Sequence, residues 1–373
     1  SSQSRGLGDV YKRQDETWYQ FKDEITTAEK ILVADESLGV IDIGPNGPIF
    51  ATIEFCDDNT DEILYLKDLQ IKAANAYWAG KQTIKYFYNK AGIDGYDGMG
   101  TSLEILINSV GTGWDYNVKK LAIEAENDGV RKAPVSLDVI AHEYTHAVLN
   151  NHYKIVDNVA VEPESGGIHE GLADIMSVLV RQNTADFSEP IEWKWQIGDL
   201  IQIGDGSADT DFPRKLHNPH DQENPQAMYY GSDVFEGEEL WNENKKYDMA
   251  GVLAYWFYLL TEGGVGIKGL PVEGSIDLSI SEAILFETLN QLKPVNGEPD
   301  KAPSFVEFCD KAIAAATVLE GNDACAANVV RVANAFAAVG LVKEDFTCDG
   351  YLGACVDMIE IDFALIPEDC LNL

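Results

Sequence analysis

Ala141-His142-Glu143-Tyr144-Thr145-His146, followed by Gly167-Ile168-His169-Glu170-Gly171-Leu172-Ala173-Asp174, is the part of the chain from which the rest is read. Residues four apart on a helix sit one turn above each other, so His142 and His146 aim two imidazoles at one point while Glu143 stands beside them. A catalytic zinc takes three protein ligands and leaves its fourth position to water, and Glu170, 24 residues after His146, supplies the third. Two histidines and a glutamate make a hydrolase's ligand set, with Glu143 as candidate general base. The alternative assignment makes His142 and His146 core histidines and Glu170 a solvated first-turn acid favoured by the helix dipole.

Leu137, Val139, Ile140, Ala141, Ala147, Val148 and Leu149 surround the first motif with apolar residues at helical spacing, which predicts a half-buried helix stopped at Asn150-Asn151. Glu170 opens a second apolar helix, Leu172 to Val180, after the turn-forming Ser165-Gly166-Gly167. Asp174 falls one turn beyond Glu170 on the same face.

The first fourteen residues, Ser1 to Gln14, read as a translated sequencing adapter and stand outside the fold, so nothing about export follows from them. Residues 15–157 predict an α+β lobe with strands Pro48 to Phe55 and Ser102 to Val110 and a helix from Ile71 to Lys90, ending in the first histidine helix. Residues 158–345 predict a mainly helical lobe, with helices near 169–182, 249–261, 279–292, 304–318 and 325–338. Residues 346–373 form an acidic, cysteine-containing tail. A cleft between the lobes is the expected ligand site.

With 27 basic against 63 acidic residues, the net charge of -36 argues against nucleic acid or an anionic membrane as partner and suits a secreted or salt-tolerant enzyme. No apolar run approaches the ~20 residues of a membrane span. The six cysteines include no Cys-x-x-Cys pair and are compatible with disulfides. Cys309 and Cys325 flank the Gly321-Asn322-Asp323 turn and are the expected bridge; Cys348, Cys355 and Cys370 crowd the tail, where one further bridge is expected. The acidic runs Asp57 to Glu62 and Asp205 to Asp211 could hold calcium, with solvated loops the favoured reading because neither shows the full ligand spacing of a calcium loop.

Several separated segments resemble the thermolysin family of secreted zinc endopeptidases. Ser136-Leu137-Asp138-Val139-Ile140 leads into the first histidine helix as in that family, and Glu164-Ser165-Gly166-Gly167-Ile168-His169-Glu170 is similar to its Glu-Ser-Gly-Ala-x-Asn-Glu segment. Trp256-Phe257-Tyr258-Leu259-Leu260 with Gly263-Gly264 resembles a later helix, and Ala333 to Gly340 resembles the closing Ala-Phe-x-Ala-Val-Gly. The resemblance implies a two-lobed α+β fold and zinc bound by His142, His146 and Glu170. It implies Glu143 as general base, Asp174 as the group fixing the His142 ring, and Arg214 as a substrate-binding fork. The reaction implied is peptide hydrolysis: zinc lowers the pKa of its water toward about 7 and polarises the scissile carbonyl, and Glu143 carries the proton to the leaving amine.

The chain also departs from the family pattern. The tyrosine and histidine that hold the tetrahedral oxygen there are replaced by Val161 and Tyr247, and losing one such donor costs ~100 to 1000-fold in rate. Tyr247 is the expected replacement phenol, with Tyr229 and Tyr230 as alternatives. Tyr116-Asn117-Val118-Lys119 stands at the Asn-Ala-Phe-Trp substrate edge, which makes Tyr116 and Asn117 candidate substrate contacts. Asp138 matches a calcium ligand, but its partners read as Arg181, Lys194 and Gln196. An Asp138/Arg181 ion pair is therefore expected in place of the paired calcium site. The leading reading is a zinc endopeptidase acting on peptides or proteins. An aminopeptidase with the same ligand set lacks support, since no Gly-x-Met-Glu-Asn segment is present. A catalytically impaired zinc scaffold that binds peptides or another protein remains the non-enzyme alternative.

Overall fold

The computed structural model describes residues 31–35, 39–41, 43–44, 47–48, 60–109, 111–124, 135–158, 160, 162–184, 194–198, 214–221, 225–231, 245–295, 298–342 and 346–348. In chain order these form strands β1 (Ile31–Asp35), β2 (Gly39–Ile41), β3 (Ile43–Gly44) and β4 (Gly47–Pro48), helix α1 (Thr60–Ala91), and strands β5 (Leu103–Ser109), β6 (Gly113–Asp115) and β7 (Lys120–Glu124). Helices α2 (Leu137–Val148) and α3 (Ser165–Thr184) follow, then β8 (Gln196–Ile197), β9 (Arg214–Lys215) and α4 (Lys245–Glu262). The last part holds β10 (Gly264–Val265), β11 (Pro271–Val272), α5 (Leu278–Leu292), α6 (Phe305–Leu319) and α7 (Ala327–Ala338). The architecture is α+β.

The five-stranded sheet has the order β2-β1-β5-β7-β6, with β5 parallel to both neighbours and the outer pairs antiparallel. In β5, Leu103, Ile105 and Ile107 alternate along one buried face, as the two-residue period of a strand requires. Among the described residues, β6 is an edge strand of the sheet, with β7 as its one strand neighbour.

α3 is the centre of the packing. Every residue from Ser165 to Arg181 is buried, so this helix is enclosed on all sides, chiefly by α2 and α4. Glycines permit the closeness: a Cβ on Gly167 would stand 2.6 Å from Met249 Cβ, and one on Gly171 would stand 2.9 Å from both the Ala250 carbonyl and Leu253 Cβ. The first turns of α4 are thereby brought against the middle of α3. Beneath them, Trp256 stacks on Phe336 at 4.4 Å and meets Phe308 edge-on, joining α4, α6 and α7.

Several expectations are corrected. α1 begins at Thr60 rather than near Ile71, and α4 begins at Lys245 rather than near 249. Asn150-Asn151 do not stop the first histidine helix; it passes into a π-turn over Leu149–Tyr153 and ends at Lys154, whose φ of 58° is left-handed. Glu170 does not open α3, which starts five residues earlier at Ser165 and places Glu170 inside a buried helix. Asn158 and Glu162 explain the early start, since their loop is held by Ser165, whose hydroxyl accepts from the Asn158 N–H and donates to the Glu162 carbonyl. Cys325 bonds to Cys348, not to Cys309, which instead faces the core from α6. Residues 49–55 of the strand expected from Pro48 to Phe55, Asp57 to Asn59, Asp205 to Asp211, and Cys56, Cys355 and Cys370 lie outside the described residues.

Candidate metal centre and active site

α2 projects His142 and His146 toward α3, and Glu170 answers from the facing helix. The two Nε2 atoms are 3.1 Å apart, and Glu170 Oε2 lies 3.2 Å from His142 Nε2 and 3.6 Å from His146 Nε2. Donors about 2.05 Å from a tetrahedral ion stand about 3.3 Å from each other, so these three separations fit one zinc ion. All three side chains are buried, and Glu170 Oε2 has no hydrogen-bond donor. A buried carboxylate oxygen aimed at two imidazole nitrogens is a setting that suits a cation. Among the described residues, this is the grouping of three histidine, cysteine or acidic side chains that could hold a metal.

The reverse sides of the ligands are held as well. Asp174 Oδ1 lies 2.9 Å from His142 Nδ1, and its carboxylate also receives Arg214 Nη1 at 2.9 and 3.1 Å. Burial opposes protonation of His142, but the Asp174 and Glu170 carboxylates outweigh it and bring its pKa to about 9 in the metal-free protein. For Glu170, burial raises the pKa and the two imidazoles lower it; the imidazoles win and hold it well below the usual carboxylate range. The protein therefore supplies a charged carboxylate to the cation.

His146 rests on a residue the sequence reading did not single out. His169 Nδ1 is 2.7 Å from His146 Nδ1, and the rings are parallel within 2° at 4.8 Å. Burial, then the neighbouring His146, push the His169 pKa well below the ordinary histidine range, so the ring is neutral. Its signal in the sequence is position: a third histidine immediately before Glu170.

Glu143 is half-buried, and its Oε2 accepts the Trp114 backbone N–H at 3.1 Å. That bond fixes the carboxylate against β6. The extended segment beside Glu143 is Gly113–Asp115, and Tyr116 to Lys119 form the turn that follows it, with Lys119 at φ 56°. Asn117 is exposed there, its N–H bonded to Asp115 Oδ1. Tyr116 remains near the centre; burial, then Glu170 and Asp157, raise its phenol pKa.

Tyr247 lies on the first turn of α4, 44% exposed, with Lys246 Nζ 5.1 Å from its ring centroid. Its pKa is raised by burial and then by Glu170. Tyr230 is committed elsewhere, its hydroxyl donating to Glu164, and Tyr229 packs edge-on against Tyr255. Val161 lies outside the described residues. Arg214 is buried, with Nη1 held by Asp174. Lys246, also not singled out in the sequence, places Nζ 3.1 Å from both Glu170 Oε1 and Asp157 Oδ2. Its signal was a lysine pair, Lys245-Lys246, at a helix N-terminus, where the dipole disfavours cations.

In the first turn of α2, Asp138 is buried and accepts the Gly198 N–H at 2.6 Å. Arg181 Nη1 stands 3.9 Å from its Oδ2 and donates to the Gln196 carbonyl at 3.0 Å.

Residues 46–150 match the thermolysin metallopeptidase catalytic domain, and residues 158–341 match the thermolysin metallopeptidase alpha-helical domain. Neutral protease B of Bacillus subtilis (strain 168) is 28% identical over 221 residues, which is 57% of this chain and 36% of that protein. Bacillolysin of Bacillus cereus is 27% identical over 275 residues, 71% of this chain and 43% of that protein. The chain thus spans less than half the length of these relatives. Among solved structures, the precursor of protealysin, a metalloproteinase from Serratia proteamaculans, superposes with a TM-score of 0.56 at 16% identity, covering 88% of this chain and 90% of that one, which establishes a shared fold. With both halves matched in order around the histidine and glutamate cluster, the chain belongs to the thermolysin family of metallopeptidases.

Proposed function

We propose that this protein is a zinc endopeptidase that hydrolyses internal bonds of peptides or proteins, with His142, His146 and Glu170 as ligands and Glu143 as general base. The observation carrying this reading is the buried triad whose donor separations of 3.1, 3.2 and 3.6 Å fit one tetrahedral ion. When bound, zinc supplies Lewis acidity and brings the pKa of its water near 7. Glu143, held through Oε2 by the Trp114 N–H, accepts a proton from the attacking water and returns it to the departing amine. An extended peptide laid along β6 would lie at what is, among the described residues, an edge of the sheet beside that carboxylate. Arg214, braced on Asp174, is read as a donor to a substrate carbonyl, and Tyr247, half-exposed at the cleft, as the phenol facing the developing negative oxygen. Tyr116 and Asn117 are read as contacts at the end of that edge.

Residues 15–157 and 158–345 are read as the two lobes flanking this site. The Arg181 guanidinium is read as standing in for calcium beside Asp138. Action outside the cell is supported by the net charge of -36 and by the Cys325–Cys348 disulfide, which belongs in an oxidising compartment. Among the described residues, no helix is long and apolar enough to cross a membrane.

The test is peptide length and blocking. The zinc-loaded protein is expected to cleave internally quenched peptides whose amino termini are acetylated, and to lose that activity with a chelator. Cleavage confined to free amino-terminal residues would replace the endopeptidase with an aminopeptidase, and zinc binding without any cleavage would leave a peptide-binding scaffold.

A further inference from the structure

Lys246 is the unexplained charge at this centre. Its Nζ contacts Glu170 Oε1 and Asp157 Oδ2, each at 3.1 Å, and its side chain is 20% exposed. The two oxygens of Glu170 are therefore divided: Oε1 receives an ammonium donor, and Oε2 faces the imidazole nitrogens with no donor of its own. The division depends on the fold around it. Gly167 and Gly171 let the first turns of α4 lie directly against α3, which brings Lys246 within reach of a side chain only 4% exposed.

A carboxylate with both oxygens available can chelate a cation, taking two positions where a four-coordinate hydrolytic site needs one left for water or substrate. A donor fixed on one oxygen opposes that mode, and ligating carboxylates are commonly oriented by such partners. Asp157 matters for the sign of the effect. Paired with it, Lys246 brings no net charge to the centre, so it acts on Glu170 as a directed donor more than as a cation repelling the metal. We propose that Lys246 is a positioning residue for the metal centre: it occupies Oε1 of Glu170, reserves Oε2 as a single ligand atom, and through Asp157 ties that carboxylate to the connection between α2 and α3. This rests on the zinc reading given above.

The test compares zinc-loaded wild type with the double variant Lys246→Met/Asp157→Asn, which removes the donor and keeps the net charge, and with Lys246→Arg. Zinc affinity is measured by competition with a chromophoric chelator, carboxylate coordination by X-ray absorption at the zinc edge, and folding by circular dichroism. The double variant is expected to lose ~10 to 100-fold in zinc affinity and to gain a second oxygen in the zinc shell, and Lys246→Arg to restore most of both. Should the double variant not fold, Lys246→Leu/Asp157→Leu, which likewise removes the donor and keeps the net charge, is read in the same way. Wild-type affinity and an unchanged zinc spectrum in a folded variant overturn the proposal, and so does a lower melting temperature with those two readouts unmoved, which marks a structural ion pair. A wild-type protein that binds no zinc overturns the zinc reading itself, an outcome distinct from failure of the lysine's role alone.

Discussion

Two imidazole nitrogens 2.7 Å apart share one proton, and His146 and His169 meet in that way through Nδ1. If His146 Nε2 offers a lone pair to a bound metal, its Nδ1 carries the proton and His169 Nδ1 accepts it. His169→Leu is expected to weaken zinc binding ~10 to 100-fold by freeing the His146 ring, and His169→Asn, which retains an acceptor, to keep most of the affinity; chelator competition measures both. Equal affinity in the two variants would remove the orienting role. At this scale the sequence was informative where spacing along one helix decides geometry. His142, Glu143 and His146 are fixed by one turn of α2, and the Glu170 to Asp174 interval by one turn of α3. His169 and Lys246 were not legible, because their meaning comes from the distance between helices. Tyr116 and Asn117 were expected at a substrate edge by resemblance, and they lie in the turn that follows β6, where Lys119 has a positive φ.

Among elements, α2 and α3 are joined by a second polar contact, Asp138 with Arg181 and Gly198, one buried charge answering another. If a guanidinium serves where relatives of this fold are expected to place calcium, the melting temperature should be the same in calcium and in a calcium chelator. Arg181→Met should then cost roughly 3 kcal/mol by leaving Asp138 buried without its cation, as denaturant unfolding would read. A melting temperature that rises with calcium would contradict the assignment. The Cys325–Cys348 bond closes a loop of 23-residue separation behind α6 and α7. Its removal by Cys348→Ser should destabilise the protein by about 3 kcal/mol, and no change would show that the tail contributes nothing to folding. Helix cores were legible from apolar spacing, since α5 and α6 fall within a residue or so of the expected 279–292 and 304–318. Their ends were not: the start of α3 is set by Ser165 bonding to its own loop, and the end of α2 by a left-handed Lys154. Disulfide pairing depends on which chain segments meet, which turn residues between two cysteines do not reveal.

For the whole molecule, an α+β half and a mainly helical half were foreseeable from the switch between two-residue and 3.6-residue apolar periods. The sheet order β2-β1-β5-β7-β6 was not, because parallel neighbours such as β1 and β5 are set by long connections. That order leaves β6 at the edge beside Glu143, and the enclosure of α3 by α2 and α4 delivers the ligands, so the site is a product of the entire packing. The central claim is that the buried cluster and Glu143 together hydrolyse peptide bonds. The most direct measurement is casein hydrolysis by the zinc-loaded protein beside a Glu143→Ala variant shown to be folded and to carry one zinc. Turnover in the wild type and its loss by at least ~100-fold in the variant are the predicted result. Equal turnover in both, or none in either at full zinc occupancy, would contradict it.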